Sequence, residues 1–224
     1  MKKTQVINLD PIDRKKKLGI IGRAMITRWS GGKKPAHQEK YGHYMFTGKQ
    51  RQGKSTSCLW YLEKLARKYR KKGYAIEIYS NMGIGREINR KTLYETISNF
   101  DPYEKKVRFV LIDEIQAYFP KESRDKATIE IKEKLISLFC QLGKRNTYIL
   151  STSQIYGRVD KSLREQCLYM IDCHRSMTGK FVNEFIDGDD IICDDLGRWA
   201  GKPKHIYVHG LPKTQYDTKK IIEV

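Results

Sequence analysis

The 224-residue sequence has no uninterrupted apolar run close to the roughly 20 residues that a membrane-spanning helix needs. Its opening, MKKTQVINLDPIDRKKK, has the positive charge of a secretory leader but no apolar stretch behind it. Neither a signal peptide nor a membrane segment is expected. Cysteine is sparse: Cys58, Cys140, Cys167, Cys173 and Cys193 are five, an odd number without a C-x-x-C pair. That spacing argues against a disulfide framework or a zinc site and for free thiols in a reducing compartment. Acidic residues are the other shortage, with 26 aspartates and glutamates against 44 lysines and arginines, a net charge of +18. A polyanion gains affinity for such a surface with each counterion released, so nucleic acid is the leading partner. An ordinary solvated basic surface is the alternative.

With 39% apolar and 31% charged residues, the composition is that of a soluble globular protein, and the length suits one substantial α/β domain. The positive surplus is uneven. Residues 1–40 hold eleven lysines or arginines against three acids, with Arg14-Lys15-Lys16-Lys17 the densest run. No hydrophobic period runs through this segment. It reads as a basic arm, able to grip a DNA backbone, bind a neighbouring subunit or move freely, with the folded domain at 41–224.

The stretch YMFTGKQRQGKS, Tyr44 to Ser55, organises that domain. Gly48, Lys49, Gln50, Arg51, Gln52, Gly53, Lys54 and Ser55 fill the Walker A pattern G-x-x-x-x-G-K-[ST], between a strand-like apolar run and a helix-forming run. The glycines let successive backbone N–H groups converge on one concavity, and the following helix adds its N-terminal dipole. Lys54 then reaches the terminal phosphates of ATP, and Ser55 offers a hydroxyl to Mg²⁺. Thr56, next in the chain, completes the cofactor-binding candidates.

Leu59, Leu62, Leu65, Ala66 and Tyr69 recur at helical spacing over 55–72, and Arg70-Lys71-Lys72-Gly73 suits a helix end. Ala75–Ser80 alternates as a strand, and Asn81–Gly85 forms a loop where open α/β sheets bind ligands. A short helix is expected near 91–99. The apolar run Val107–Ile112 then delivers Asp113 and Glu114 at its carboxyl end, a Walker B arrangement. Asp113 would orient the Mg²⁺ shell, and Glu114 would position or deprotonate the attacking water. Adjacent acids after a strand are also ordinary turn material; the upstream phosphate loop favours the site. After a polar excursion over 116–128, a helix over 129–142 should stop at Gly143. The strand Thr147–Thr152 follows, ending in Ser153-Gln154, so the Gln154 amide falls beside the same edge, where it could sense the γ-phosphate. Leu168–Cys173 reads as a fifth strand and Lys204–His209 as a late edge or antiparallel one. His205 and His209 are then strand residues. The cluster Asp187, Asp189, Asp190, Asp194 and Asp195 lacks the ligand order of an EF-hand and reads as an exposed loop.

Four segments stand in a familiar order: GKQRQGKS, VLIDEIQAYFP, KRNTYILSTSQ and LREQCLYMIDC, with a terminal YDTKKII. Over residues 44–222 the chain resembles the FtsK/HerA-type P-loop ATPases, which pump DNA, and within them the viral genome-packaging and Zot-like phage assembly ATPases. The resemblance implies a RecA/FtsK-like α/β fold with a mainly parallel central sheet flanked by helices. It assigns Lys54 and Ser55 to phosphate and Mg²⁺, Asp113 to the metal shell, Glu114 to the catalytic carboxylate and Gln154 to the sensor. It also implies a homo-oligomeric ring, hexameric or pentameric, in which an arginine from one subunit completes its neighbour's site. Arg145 is the first choice for that arginine and Arg164 the second.

Zot-like phage proteins usually continue into a membrane segment, which this sequence lacks, and no separate DNA-reading domain is visible. A compact viral motor fits both departures: an ATP-driven DNA translocase that packages a genome, in the host cytoplasm or at a packaging vertex with capsid or portal proteins as partners. DNA contacts would be sequence-independent, from Arg14–Lys17, Lys121 and Arg124. A Zot-like extrusion ATPase, a small P-loop kinase and a non-catalytic nucleic-acid-binding protein are the other readings.

Overall fold

Strands that alternate large apolar side chains to both faces must be covered on both faces, and this chain builds its core that way. The computed structural model describes residues 40–99, 101, 103–119, 126–193 and 199–213. The basic arm up to residue 39, Lys121, Arg124, Asp194, Asp195 and the terminal YDTKKII lie outside the described residues.

In chain order, β1 (Gly42–Thr47) runs into α1 (Lys54–Lys71), β2 (Ala75–Ser80), β3 (Arg86–Glu87) and α2 (Arg90–Ser98). Then come β4 (Lys106–Ile112), α3 (Ile115–Tyr118), α4 (Lys126–Phe139), β5 (Thr147–Ser153) and α5 (Lys161–Glu165). β6 (Cys167–Arg175), β7 (Phe181–Asp187), β8 (Ile192–Cys193), β9 (Trp199–Ala200) and β10 (His205–His209) complete the described elements. One eight-stranded sheet has the order β10-β7-β6-β1-β5-β4-β2-β3, and β8 pairs with β9 apart from it. The six strands from β6 to β3 are mutually parallel, while β7 and β10 are antiparallel additions at one edge. The fold is therefore the α/β sandwich with a mainly parallel sheet that the sequence implies.

Tyr44 and Phe46 of β1 point to the face covered by Leu59, Leu62 and Leu65 of α1. Met45 between them points to the other face, with Leu93 of α2, Ile115 of α3, Leu135 and Leu138 of α4, and Leu163 of α5. The α1 side is rich in tyrosine. Phe109 and Tyr148 stack at 5.2 Å, and the Tyr69 and Tyr148 hydroxyls meet at 2.9 Å, which satisfies both polar ends inside the core.

Two details differ from the sequence expectation. Helix α4 covers Lys126–Phe139 instead of 129–142, and Gly143 falls inside a 3₁₀ turn, Leu142–Arg145. Asn146, at φ 44°, is the residue that turns the chain into β5. Strand β7, unremarked in the sequence, pairs along the whole of Tyr169–Arg175. The late strand is, as expected, antiparallel and at an edge.

At the far edge, Arg108 of β4 ties three elements together. Its guanidinium donates to Glu77 of β2 at 3.1 Å, to the Asn99 carbonyl at 3.1 Å and to the Thr96 carbonyl, closing the C-terminal end of α2. Removing Arg108 takes this donor from two carbonyls and leaves Glu77 with the longer Lys106 contact at 3.8 Å. Arg108→Ala should lower unfolding free energy in a denaturant titration by about 3 kcal/mol. The Arg108→Ala/Glu77→Ala pair should lose less than the sum of the two single variants.

Candidate functional site

The phosphate loop occupies residues 48–53, between β1 and α1. Its glycines are required by geometry. A Cβ on Gly48 would sit 2.5 Å from the Cys173 carbonyl oxygen, and one on Gly53, at φ +86°, would meet the Phe181 ring at 2.3 Å. Arg51 takes a left-handed φ of 62° without being glycine. The Gln52 N–H donates to the Lys49 carbonyl at 3.3 Å, and the Ser57 N–H to the Gly53 carbonyl at 2.8 Å, which opens α1. Lys54 is buried, with its ammonium 3.4 Å from the Lys49 carbonyl. Lys49, Gln50 and Arg51 are exposed, and Thr56 is half-buried in the first turn of α1.

Sheet order determines what faces this loop. β5 lies between β1 and β4, so the carboxyl ends of all three strands stand side by side. Asp113 follows β4 and Ser55 opens α1, and the Ser55 hydroxyl donates to Asp113 Oδ1 at 3.0 Å. Thr152 of β5 donates to the same oxygen at 2.6 Å and accepts the Glu114 N–H at 2.9 Å. Asn81, just past β2, closes a two-way pairing with the Asp113 backbone: its Oδ1 accepts the Asp113 N–H at 2.8 Å, and its Nδ2 donates to the Asp113 carbonyl at 3.0 Å. Asp113 is thus fixed from three elements. Burial pushes its carboxyl above the usual range, and the Thr152 and Ser55 hydroxyls pull it part of the way back.

Glu114 sits at φ 53°, ψ 58°, a left-handed conformation that costs a non-glycine residue about 1–3 kcal/mol and that functional sites tend to retain. Its carboxylate accepts from the Gln154 amide at 3.0 Å and from Gln116 Nε2. Gln154 Oε1 in turn accepts from Gln50 Nε2 at 3.4 Å. A chain of amides therefore runs from the phosphate loop through Gln154 to the acid.

All the sequence candidates except the two arginines converge here. Arg145 precedes β5, whose seven residues put it about 20 Å below the phosphate loop. Its guanidinium donates to the Ser98 carbonyl at 2.8 Å and to Gln141 Oε1 at 3.3 Å. Arg164 donates from Nε to the Val159 carbonyl at 3.1 Å and lies 5.2 Å over the Tyr156 ring. Each is held inside its own subunit. Of the acidic cluster, Asp187 and Asp190 pair with Lys204 at 2.8 Å and 3.1 Å, and among the described residues no three His, Cys, Asp or Glu side chains form a metal-binding group. The sequence reading missed Thr152, Asn81 and Gln116. Thr152 carried one signal, a hydroxyl in an apolar strand two residues before Gln154.

The donor set at Ser55 and Asp113 suits Mg²⁺. Both are hard oxygen ligands in hydrogen-bond contact, and among the described residues no cation forms an ion pair with the half-buried Asp113 carboxylate.

A phosphate loop after β1, two acids after β4 and a glutamine at the end of β5, the strand between them, are the site of a P-loop ATPase. The model of the Zonular occludens toxin (Zot) family matches residues 43–190, about two thirds of the sequence, and the chain belongs to that family. Among curated proteins none matches. The fold is similar to the N-terminal domain of zonular occludens toxin from Neisseria meningitidis, at 13% identity and TM-score 0.49, over 78% of this chain and 96% of that one. It is also similar to the genome packaging NTPase B204 from Sulfolobus turreted icosahedral virus 2 in complex with ATP-gammaS, at 11% identity and TM-score 0.44, over 79% and 100%. The pCW3 conjugation coupling protein TcpA with ATPgS matches at 13% identity and TM-score 0.44, over 65% and 58%. No helix among the described residues is long and apolar enough to cross a membrane.

The raised Asp113 carboxyl has a consequence for stability. The folded chain holds that proton more readily than the unfolded chain, so stability falls as pH climbs from the unfolded value through the folded one. The ionised, metal-free Asp113 is therefore a burden at pH 7. Asp113→Asn should raise the melting temperature at pH 7 without Mg²⁺ or nucleotide, and the gain should shrink near pH 3; Mg²⁺ should stabilise the wild type only.

Proposed function

We propose that the chain hydrolyses ATP at this site and uses the cycle to drive DNA through a ring of its own copies, in packaging a viral genome. One observation carries the catalytic part: Glu114 is held in a strained backbone conformation between two amides, beside a phosphate loop. Lys54 and the N-terminal dipole of α1 attract the phosphates. The γ-phosphate then lies toward Asp113, Glu114 and Gln154. Glu114 takes the proton of the attacking water, and Gln154, bonded to both Gln50 and Glu114, registers whether that phosphate is present. Ser55 and Asp113 would hold a Mg²⁺, which would supply charge neutralisation to the phosphates.

The DNA part is supported by charge. A surplus of +18, with eleven cations against three acids in the first forty residues, favours a polyanionic partner gripped without regard to sequence. A ring arginine is a role open to Arg145 or Arg164 only if the carbonyl contacts of that side chain break on assembly. The family match over 43–190 favours a second reading, a Zot-like phage assembly or extrusion ATPase, in which the same site serves a different direction of DNA movement.

Steady-state hydrolysis across a protein concentration series, with and without double-stranded DNA, tests the proposal. Turnover should rise with both. Glu114→Gln should lose at least about 100-fold in turnover while still binding nucleotide, and Lys54→Ala should lose nucleotide itself. A Glu114→Gln enzyme that hydrolyses at the wild-type rate would overturn the assignment of the carboxylate. Wild-type turnover indifferent to DNA and to concentration would point to a kinase-like enzyme with a soluble acceptor.

A further inference from the structure

On the other side of the phosphate loop stands a feature that the hydrolytic reading does not use. β6 and β7 are joined by a tight turn, Ser176–Lys180. The Ser176 N–H donates to the Lys180 carbonyl at 2.8 Å, the Gly179 N–H to the Ser176 carbonyl at 2.9 Å, and the Lys180 N–H to Ser176 Oγ at 3.2 Å. This stiff hairpin is tied to the loop twice. The Arg175 N–H donates to the Gln52 side chain at 2.9 Å, and the Phe181 ring closes on Gly53 with no room for a Cβ between them.

A column of flat groups begins there. The Arg175 guanidinium lies 5.1 Å over the Phe181 ring, Phe181 stacks on His209 at 5.5 Å, and His209 stacks on Trp60 at 4.2 Å with the planes 9° apart. His209 is fixed as a support. Its Nδ1–H donates to the Gly210 carbonyl at 2.6 Å, so its Nε2 accepts from Asn183 at 3.0 Å and Ser57 at 3.3 Å, and burial lowers its tendency to ionise. Phe181, His209 and Asn183 are buried, whereas Arg175 is exposed. Among the described residues, the Arg175 guanidinium has no hydrogen-bond or ion-pair partner; its contact is the ring beneath it.

Sheet order says which part of a nucleotide meets this column. Asp113, Glu114 and Gln154 lie on the β5 and β4 side of β1, and Arg175 and Phe181 lie on the β6 and β7 side. A nucleotide stretched along the loop with its γ-phosphate at the acids carries its nucleoside over the hairpin. We propose that Arg175, backed by Phe181, is the nucleoside platform of this site, its planar guanidinium stacking on the base of ATP. The inference rests on the ATPase reading. Stacking uses the π-face that every base has, and a contact of this kind holds ground state and transition state alike.

Calorimetric titration with Mg-ATP and with Mg-tripolyphosphate, which has the phosphates and no nucleoside, tests the platform in the wild type, Arg175→Ala and Arg175→Lys. Lysine keeps the charge and loses the plane. Both variants should bind ATP about tenfold more weakly, should bind tripolyphosphate within twofold of wild type, and should raise KM with kcat unchanged. Unchanged tripolyphosphate binding also reports that the variants are folded. Rescue by lysine, a parallel loss of tripolyphosphate affinity, or ATP affinity unmoved in both variants would each overturn the platform. Wild type binding tripolyphosphate as tightly as ATP would overturn the platform and leave the phosphate site standing. Wild type binding neither ligand would bring down the ATPase reading and the platform with it.

Discussion

A half-buried carboxylate held by hydroxyl groups, with no ion pair among the described residues, is the constraint on which the site depends. Asp113 receives hydrogen bonds from Ser55 and Thr152 on one oxygen, and its backbone is clamped by Asn81. Those three partners come from α1, β5 and the end of β2, so the position of one side chain sets the relative height of four segments. Such an arrangement is costly without a cation, because burial disfavours the charged form more than two hydroxyls restore it. Tight geometry with incomplete charge compensation belongs to a binding site more than to a structural core.

The phosphate loop is squeezed between two unlike walls. One is polar and chemical, with Glu114, Gln154 and Gln116 sharing hydrogen bonds that reach Gln50 in the loop. The other is the β6–β7 side, with the Phe181 ring pressed against Gly53 and the Cys173 carbonyl oxygen against Gly48. Only glycine fits at both contacts, so the spacing of the Walker A glycines answers packing as well as backbone conformation. A loop fitted this closely is already shaped before a phosphate arrives, and less ordering is then lost on binding.

Most of the site was legible in the sequence because its parts are local. A phosphate loop is eight consecutive residues, and an acid pair at the end of an apolar run announces both strand and chemistry in one segment. What stayed hidden depends on contacts distant in sequence. Thr152 and Asp113 meet across 39 positions, and Asn81 and Asp113 across 32, and neither Thr152 nor Asn81 has a type that signals a role alone. Strand β7 escaped because its seven residues do not alternate cleanly, with polar Asn183 on the face of Phe181 and Phe185 and apolar Val182 and Ile186 beside Glu184 on the other, and because it follows a turn that could have been any surface loop. Helix α4 begins earlier than its apolar period because the three residues before Ile129, Lys126-Ala127-Thr128, include no large apolar residue to mark them.

Charge follows the same division of space. On α1 the phosphate end holds Lys54 alone, buried under the loop, while Lys68, Arg70 and Lys71 crowd the last turn. Cations at a helix C-terminus are favourable to the dipole, and anions are favourable at the other end. The helix therefore leaves its N-terminal potential for a ligand and meets its C-terminal one with its own side chains. A uniformly basic surface would draw a polyanion to any face, including the nucleotide site. Gathering the exposed cations of this helix at the end remote from the loop keeps its strongest side-chain charge more than a screening length from the phosphate site, which is left to backbone N–H groups and Lys54.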